Sequence, residues 1–498
     1  MDVILQSLAV VLQPGHLLML ICGVVMGLAI GILPGLGGIV GMTILLPVIY
    51  GMDPHSAFGL LIGMVAVIPT SDTFPSVMMG IPGSSASQAT IMDGYPLAKR
   101  GEAARALGAA FTASLIGGLF GALVLTIIIP IARPLVLAFG SPELFMLALL
   151  GMSMVGVLSG NKPIRGILAA GIGVMIGALG DAPAVPEYRY TFGIDYLMDG
   201  IPLVVVGLGL FAFPEIVDLV IKGRSIADVA TLGKGWLDGV KDTLRHKFIV
   251  MRCSAIGVVV GFLPGLGGSV VDWIAYGHII QTTRDREKFG KGDIRGVIAP
   301  ESANNAKEGG GLIPTFLFGI PGSGSMAVFL GGLLILGIQP GPSMVTENVD
   351  LLYTAIWSLA LANVFGAILS IALSKQITRL TVIPFSYLAP FMVLIITFAC
   401  YQATRSWGDL IALVLMGMLG WVMKQYGWPR PAALIGFVLS DNLETYLFIS
   451  VQRYGFEWFT RTGVIVLAAI IIGSLAMGVF YQAKKSSKAL ASDGGKGK

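Results

Sequence analysis

The chain has 498 residues, 55% of them hydrophobic and 12% charged, with a formal net charge of +4. Soluble domains carry about 25% charged residues, so a water-soluble class is excluded. A charge this small, with Lys and Arg gathered in short connecting stretches, also excludes a nucleic-acid partner.

Apolar runs of about 20 residues, enough to cross a lipid bilayer as helices, recur nearly from end to end. They are continuous rather than alternating, which gives an all-α polytopic membrane protein and not a barrel. No basic residue precedes Lys99. A secretory signal with a charged leading region is therefore not read, and the first apolar segment is expected to stay in the mature protein.

Residues 16–50 form one long apolar stretch interrupted at Gly31-Ile-Leu-Pro-Gly-Leu-Gly-Gly38. Pro34 removes an amide donor in mid-segment, and Gly35, Gly37 and Gly38 let the backbone leave helical geometry, so the helix should break there. In hydrocarbon a break is tolerated only where protein or a water-filled cavity solvates it. Whether the segment crosses twice or dips and returns stays open.

The polar stretch Pro69-Thr70-Ser71-Asp72-Thr73 precedes Gly80-Ile-Pro-Gly-Ser-Ser85. Residues 80–85 read as the tip of a re-entrant hairpin: Pro82 turns the chain, and Gly83, Ser84 and Ser85 open a second half-helix. The N-terminus of such a half-helix offers free amides and partial positive charge to a substrate carboxylate. Thr70 and Ser71 join that candidate substrate site. The serines serve equally well as helix caps, and the two roles are compatible.

After Lys99, Arg100 and Arg105, four apolar segments (106–130, 143–160, 165–181 and 201–221) lead to a basic stretch running from Lys222 to Arg252. Residues 223–252 within it read as a cytoplasmic linker. Beyond it, Gly261-Phe-Leu-Pro-Gly-Leu-Gly-Gly268 repeats 31–38 with seven identities, and Gly319-Ile-Pro-Gly-Ser323 repeats Gly80-Ile-Pro-Gly-Ser84 in the same order. Pro264, Gly265, Gly267 and Gly268 should break residues 253–282. The second tip, 319–325, contains Pro321, Gly322, Ser323, Gly324 and Ser325, with Thr315 just upstream.

Between these blocks, helical spacing puts Glu301, Asn304, Asn305 and Glu308 on one face. Ser302, Asn304 and Asn305, with unwound backbone at Gly35 and Gly265, are hard oxygen donors of the kind an alkali cation such as sodium takes. A polar cluster at the membrane surface beside Lys307 is the alternative.

Loop charges orient the two copies. The loop at 51–55 has no Lys or Arg, whereas its later counterpart holds Arg284, Arg286, Lys288, Lys291 and Arg295; past the tips the signs reverse, with Lys99, Arg100 and Arg105 against the acidic 339–350. Residues 1–222 and 253–482 are therefore expected to form two inverted-topology repeats, with a cytoplasmic tail at 483–498. Arg453 and Arg461 depart from the bias and sit in an aromatic belt with Tyr454, Phe456, Trp458 and Phe459, where an Arg can snorkel. Cys22, Cys253 and Cys400 are far apart, the four His have no metal-site spacing, and no phosphate-binding loop or hydrolase motif is present, so neither an enzyme nor a cofactor is implied.

At Gly31 to Gly38, Gly80-Ile-Pro-Gly83, Asp93-Gly-Tyr-Pro-Leu-Ala-Lys-Arg-Gly-Glu102, Gly261 to Gly268, Ala299-Pro-Glu-Ser-Ala-Asn-Asn305 and Phe318-Gly-Ile-Pro-Gly-Ser323, the sequence resembles TctA, the large permease subunit of the tripartite tricarboxylate transporters. The likeness runs through nearly the whole chain. It implies an inner-membrane importer of di- or tricarboxylates driven by a cation gradient, usually sodium, working with a small TctB-like membrane subunit and a periplasmic TctC-like solute-binding protein. The repeats also resemble those of elevator-type transporters, in which paired hairpins carry substrate past a static scaffold. Two features depart from the family pattern: Lys307-Glu308 replaces small residues, and 69–73 is unusually polar. A stand-alone cation-coupled anion symporter without a binding protein is the alternative, and the oligomeric state is open, a homo-oligomer included.

Overall fold

The computed structural model describes residues 2–33, 37–158, 163–222, 232–380 and 385–476. They are overwhelmingly helical; the described strands are Gly180–Asp181 and Tyr188–Arg189, which pair antiparallel. Among the described residues six helices are long and apolar enough to cross a membrane: Pro14–Ile32, Pro54–Met79, Ala103–Ala138, Val349–Ala372, Trp407–Gln425 and Arg430–Tyr454. The chain is a multi-pass membrane protein of the all-α class. It divides into two compact units, one of Met1–Pro134 with Pro202–Gly420, the other of Leu135–Ile201 with Trp421–Lys498.

The first unit contains two runs of elements in the same order. Helix Pro14–Ile32 ends at Leu33 in extended backbone (φ −83°, ψ 106°), and helix Lys247–Phe262 ends at Leu263 in nearly the same conformation (φ −84°, ψ 113°). Both residues donate their amide three positions back, Leu33 to Ile30 and Leu263 to Val260. Pro34 and Gly35 lie outside the described residues. Gly37–Ile49 and Gly267–Thr282 follow these ends; then come Pro54–Ser71 with Thr73–Met79 in the earlier run and Arg295–Phe318 in the later; Gln88–Lys99 and Gly324–Ile335 close the two series.

Glycines set the packing. A Cβ on Gly23 or Gly27 would come within 2.2 or 2.8 Å of the carbonyls of Leu60 and Met64, and one on Gly257 or Gly261 within 2.3 or 2.2 Å of those of Ala303 and Lys307. Where lipid supplies no hydrophobic drive between helices, such bare faces let backbones pack closely. Helix Ala103–Ala138 adds a further approach, Gly117 facing the Ser302 carbonyl. Every residue from Gly296 to Leu317 is consequently buried, as is every residue from Ala57 to Met79. The polar stretches at 69–73 and 300–305 are thus enclosed by protein.

Helix Trp236–Arg245 docks on the start of Ala103–Ala138, where Arg105 bridges Asp242 and Glu102 at 2.7 Å each and Thr243 Oγ1 donates to the Ala109 carbonyl at 3.0 Å. Of the expected linker 223–252, residues 223–231 lie outside the described residues, as does the tail 483–498, and the linker's last six residues open helix Lys247–Phe262. In the second unit, Arg430–Tyr454 packs against Ser141–Leu158 and Pro163–Gly177. Arg461 donates to the buried Glu143 at 2.7 Å and lies over the Tyr454 ring, so its charge is neutralised within the aromatic belt.

Candidate functional site

The two Gly-Ile-Pro-Gly-Ser turns close in the same way. Gly80 and Gly319 take left-handed backbone (φ 67° and 65°), a conformation only glycine adopts without strain. The amides of Gly80 and Ile81 both reach the Pro75 carbonyl, and those of Gly319 and Ile320 both reach that of Pro314. One residue past each proline a hydroxyl bonds back one turn: Ser76 Oγ donates to the Asp72 carbonyl at 3.0 Å, and Thr315 Oγ1 to that of Gly311 at 2.7 Å.

Beyond the turns the tips differ. Ser323 caps Gly324–Ile335, its Oγ accepting from the Met326 amide at 3.3 Å. At the first tip the helix starts later, at Gln88, and the Asp272 carboxylate from helix Gly267–Thr282 accepts the Ala89 amide at 2.8 Å. A carboxylate from the other run already serves that helix start. Ser84 is not a cap; its hydroxyl donates to Asp72 and accepts from the Ala86 amide, while Ser85 is exposed.

Helix Arg295–Phe318 carries the polar centre. Glu301 is fully buried and accepts from Thr73 at 2.7 Å, Thr90 at 2.7 Å and Ser114 at 3.1 Å, three hydroxyls from three other helices. Asn305 Nδ2 donates to Thr70 Oγ1 at 2.8 Å and to Asn363 Oδ1 at 3.0 Å. Its Oδ1, both amide atoms of Asn304 and Asp72 Oδ1 are buried without a protein partner. Lys307 and Glu308 form an ion pair with side chains 9% and 7% exposed. The expected single face is therefore divided: Glu301 and Asn305 bond across to 70–73, whereas Glu308 is held by Lys307.

Tips and breaks meet around these groups. The Gly265 amide donates to the Gly322 carbonyl at 3.3 Å. A Cβ on Gly268 would lie 2.7 Å from Ala86 Cβ and 3.3 Å from Lys307 Cε, one on Gly267 3.6 Å from Ser323 Cβ, one on Gly38 2.6 Å from Ser325 Oγ, one on Gly83 2.5 Å from the Asp72 carbonyl, and one on Gly322 2.5 Å from that of Gly261. Pro264 and Pro321 are buried, Pro82 is half-buried, and Gly37 has left-handed backbone with open space around it. Ser71 is absorbed in packing, donating to the carbonyls of Gly27 and Ile68 beside Gly31, and Ser302 bonds its own helix at Ala299. Gly324 is buried at the start of its helix.

Away from the six candidate membrane spans, Asp93 ties the basic loop to this assembly. Its carboxylate accepts the amides of Gly292 and Asp293 at 2.7 and 2.8 Å and the Tyr276 hydroxyl at 2.8 Å. Burial alone would raise the neighbouring Asp293 carboxyl, but two hydrogen bonds from the Arg295 guanidinium outweigh it and hold that carboxyl below the ordinary range. Among the described residues no group of three or more His, Cys, Asp or Glu is placed to hold a metal ion. The available ligands are neutral oxygens and single carboxylates, which suit an alkali cation.

Thr90, Ser114, Asn363 and Asp272 take part without having been singled out in the sequence, and Thr73 stood there only as the end of the polar stretch 69–73. Asn363 carried a signal, as the one amide side chain in the apolar span Val349–Ala372. So did the prolines and hydroxyls at 75–76 and 314–315, which extend the repeated turn upstream. Thr90 and Ser114 carried none, because hydroxyls are common in membrane helices and usually bond their own backbone.

Glycine-lined, Pro-broken helices around an enclosed polar centre define a multi-pass membrane transport protein. More particularly, the chain matches the Tripartite tricarboxylate transporter TctA family across residues 17–436 and belongs to that family. It is 30% identical over 437 residues, 88% of this chain and 87% of the relative, to an uncharacterized 52.8 kDa protein of the TAR-I ttuC' 3' region of Agrobacterium vitis. It is 33% identical over 191 residues, 38% of this chain and 79% of the relative, to an uncharacterized protein of the TAR-II ttuC' 3' region of the same organism. No solved structure matches. Membership makes the chain a tricarboxylate-transporter permease component, the large subunit of a tripartite system.

Proposed function

We propose that the chain is the permease of a binding-protein-dependent secondary transporter that imports organic di- or tricarboxylates together with sodium across the bacterial inner membrane. A small TctB-like membrane subunit and a periplasmic TctC-like binding protein complete the system, and the C-terminal tail lies in the cytoplasm. The observation that carries this reading is the convergence of tips 80–85 and 319–325 with glycines of both broken segments around the buried polar residues of 70–73 and 301–308.

The matching turn closures and helix ends support a repeat, and the opposed loop charges support its inverted topology. In secondary transporters such repeats bring half-helix ends together at the membrane midplane. Substrate carboxylates are received at the second tip, by Gly322, Ser323, Gly324 and Ser325 with Thr315 beneath, and at the first by Gly83, Ser84 and Ser85 beside Thr70 and Ser71. The unpartnered oxygens of Asn304 and Asn305, with Ser302 and backbone carbonyls at Gly35 and Gly265, take sodium. By analogy with elevator-type transporters, the hairpins move with the bound substrate.

Proteoliposomes containing this chain and the small subunit, supplied with the binding protein and a radiolabelled tricarboxylate such as citrate, test the reading. Accumulation should require both an inward sodium gradient and the binding protein. Equal uptake without sodium would overturn the coupling, and equal uptake without the binding protein would favour a stand-alone symporter.

A further inference from the structure

Aligning the two Gly-Ile-Pro-Gly-Ser turns places Asp72 opposite Gly311. The surrounding backbone is the same at both: Gly83 packs on Asp72 as Gly322 packs on Gly311, and the carbonyls of Asp72 and Gly311 receive the equivalent Ser76 and Thr315 hydroxyls. The later copy builds this turn without a side chain, so the fold does not require the carboxylate. Burying a charge is costly unless it is paired.

The charged groups within electrostatic reach of Asp72 are Glu301, Asp272 and Lys307. Each is already engaged. Glu301 has its three hydroxyls, Asp272 the amides of Ala89 and Trp273, and Lys307 its pair with Glu308. Asp72, 1% exposed, has one oxygen bonded by the Ser84 hydroxyl and the other without a protein partner. Four carboxylates thus share one ammonium, and of the three not paired with it Asp72 is the one with a buried oxygen left without a protein partner.

We infer that the Asp72 carboxylate, with the Ser84 hydroxyl of the first hairpin tip, is a sodium site distinct from the one at Asn304 and Asn305. The inference rests on the proposed sodium coupling and adds a second ion, held beside the first hairpin tip. A carboxylate and a hydroxyl are the hard oxygen donors sodium takes, and a single negative charge matches a monovalent cation.

The test measures radiolabelled sodium bound by the purified full-length chain in a choline background at alkaline pH. Asp72→Asn keeps shape and removes charge, Asp72→Gly copies the later turn, and Asn305→Ala reports on the other site. Unchanged melting temperatures in choline identify the folded variants. Both Asp72 variants should lose about one sodium ion per chain, and Ser84→Ala should weaken that ion by about tenfold, since ligand charge and count set affinity. Sodium binding unchanged by either Asp72 variant would overturn the inference while leaving sodium coupling intact. Loss of an acid-released proton in Asp72→Asn, with sodium binding unaltered, would assign the group to a proton and overturn it as well. A wild-type chain that transports carboxylate yet binds no sodium would overturn both this site and the coupling on which it rests.

Discussion

At the scale of single residues, the buried carboxyl of Glu301 shows how an ionisable group is kept inside a membrane protein without a cation beside it. Its three hydroxyl partners come from residues 73, 90 and 114, each on a different helix. Replacing it with Ala leaves those hydroxyls buried without an acceptor, at about 1–3 kcal/mol for each unsatisfied group. Glu301→Ala should therefore melt well below wild type in detergent, whereas Glu301→Gln, which retains size and hydrogen-bonding capacity, should recover most of the loss; equal melting of the two would remove the hydrogen-bonding account. The sequence pointed to Glu301, Asn304 and Asn305 because ionisable and amide groups are rare inside apolar chains. It could not show their division of labour. One-face spacing on a helix says which side chains are neighbours, not which opposing helices arrive to meet them, and Thr90 and Asn363 reach the helix from sequence separations of 211 and 58 residues.

Among elements, legibility followed chemistry that acts locally. Pro-Gly breaks and Gly-Ile-Pro-Gly turns depend on backbone freedom within a few residues, so both were readable, and Leu33 and Leu263 end their helices with matching angles. The later helix start at Gln88 was not readable, because the carboxylate that serves it comes from Asp272, far away in sequence. Helix packing is equally specific in its demands. A Cβ on Gly261 would stand 2.2 Å from the Lys307 carbonyl, while one on Gly277, in the next helix, meets nothing within 4 Å. Overpacking a fixed backbone contact costs about 1–3 kcal/mol; an unobstructed helical Gly→Ala change gains about 0.5–1 kcal/mol. Thermal melts should accordingly show Gly261→Ala destabilised and Gly277→Ala equal to or above wild type. Coincident melts would mean that the Lys247–Phe262 and Arg295–Phe318 helices slide apart at little cost.

For the whole molecule, the first unit draws on both sides of the linker, and its centre is assembled from contacts that cross between the two runs. The first tip meets the second break at Ala86 and Gly268, and the second tip meets the residues after the first break at Ser325 and Gly38. Neither run holds both members of either contact, so a site built this way depends on their register. The two contacts differ in what can yield. At Gly38 a new Cβ meets a serine hydroxyl that can rotate away; at Gly268 it meets the Cβ of Ala86, which moves only with its backbone, and the stem of Lys307 as well. Displacements of about 1 Å at a positioned site commonly cost about a hundredfold in rate. Gly268→Ala should therefore reduce initial carboxylate uptake by about tenfold or more at wild-type expression, and Gly38→Ala far less. Restoring space with Ala86→Gly in the Gly268→Ala background should return part of the activity, because it removes the nearer of the two obstructions and leaves the Lys307 stem. Uptake unaffected by Gly268→Ala would show that the first tip and the second break separate during transport without having to close on each other.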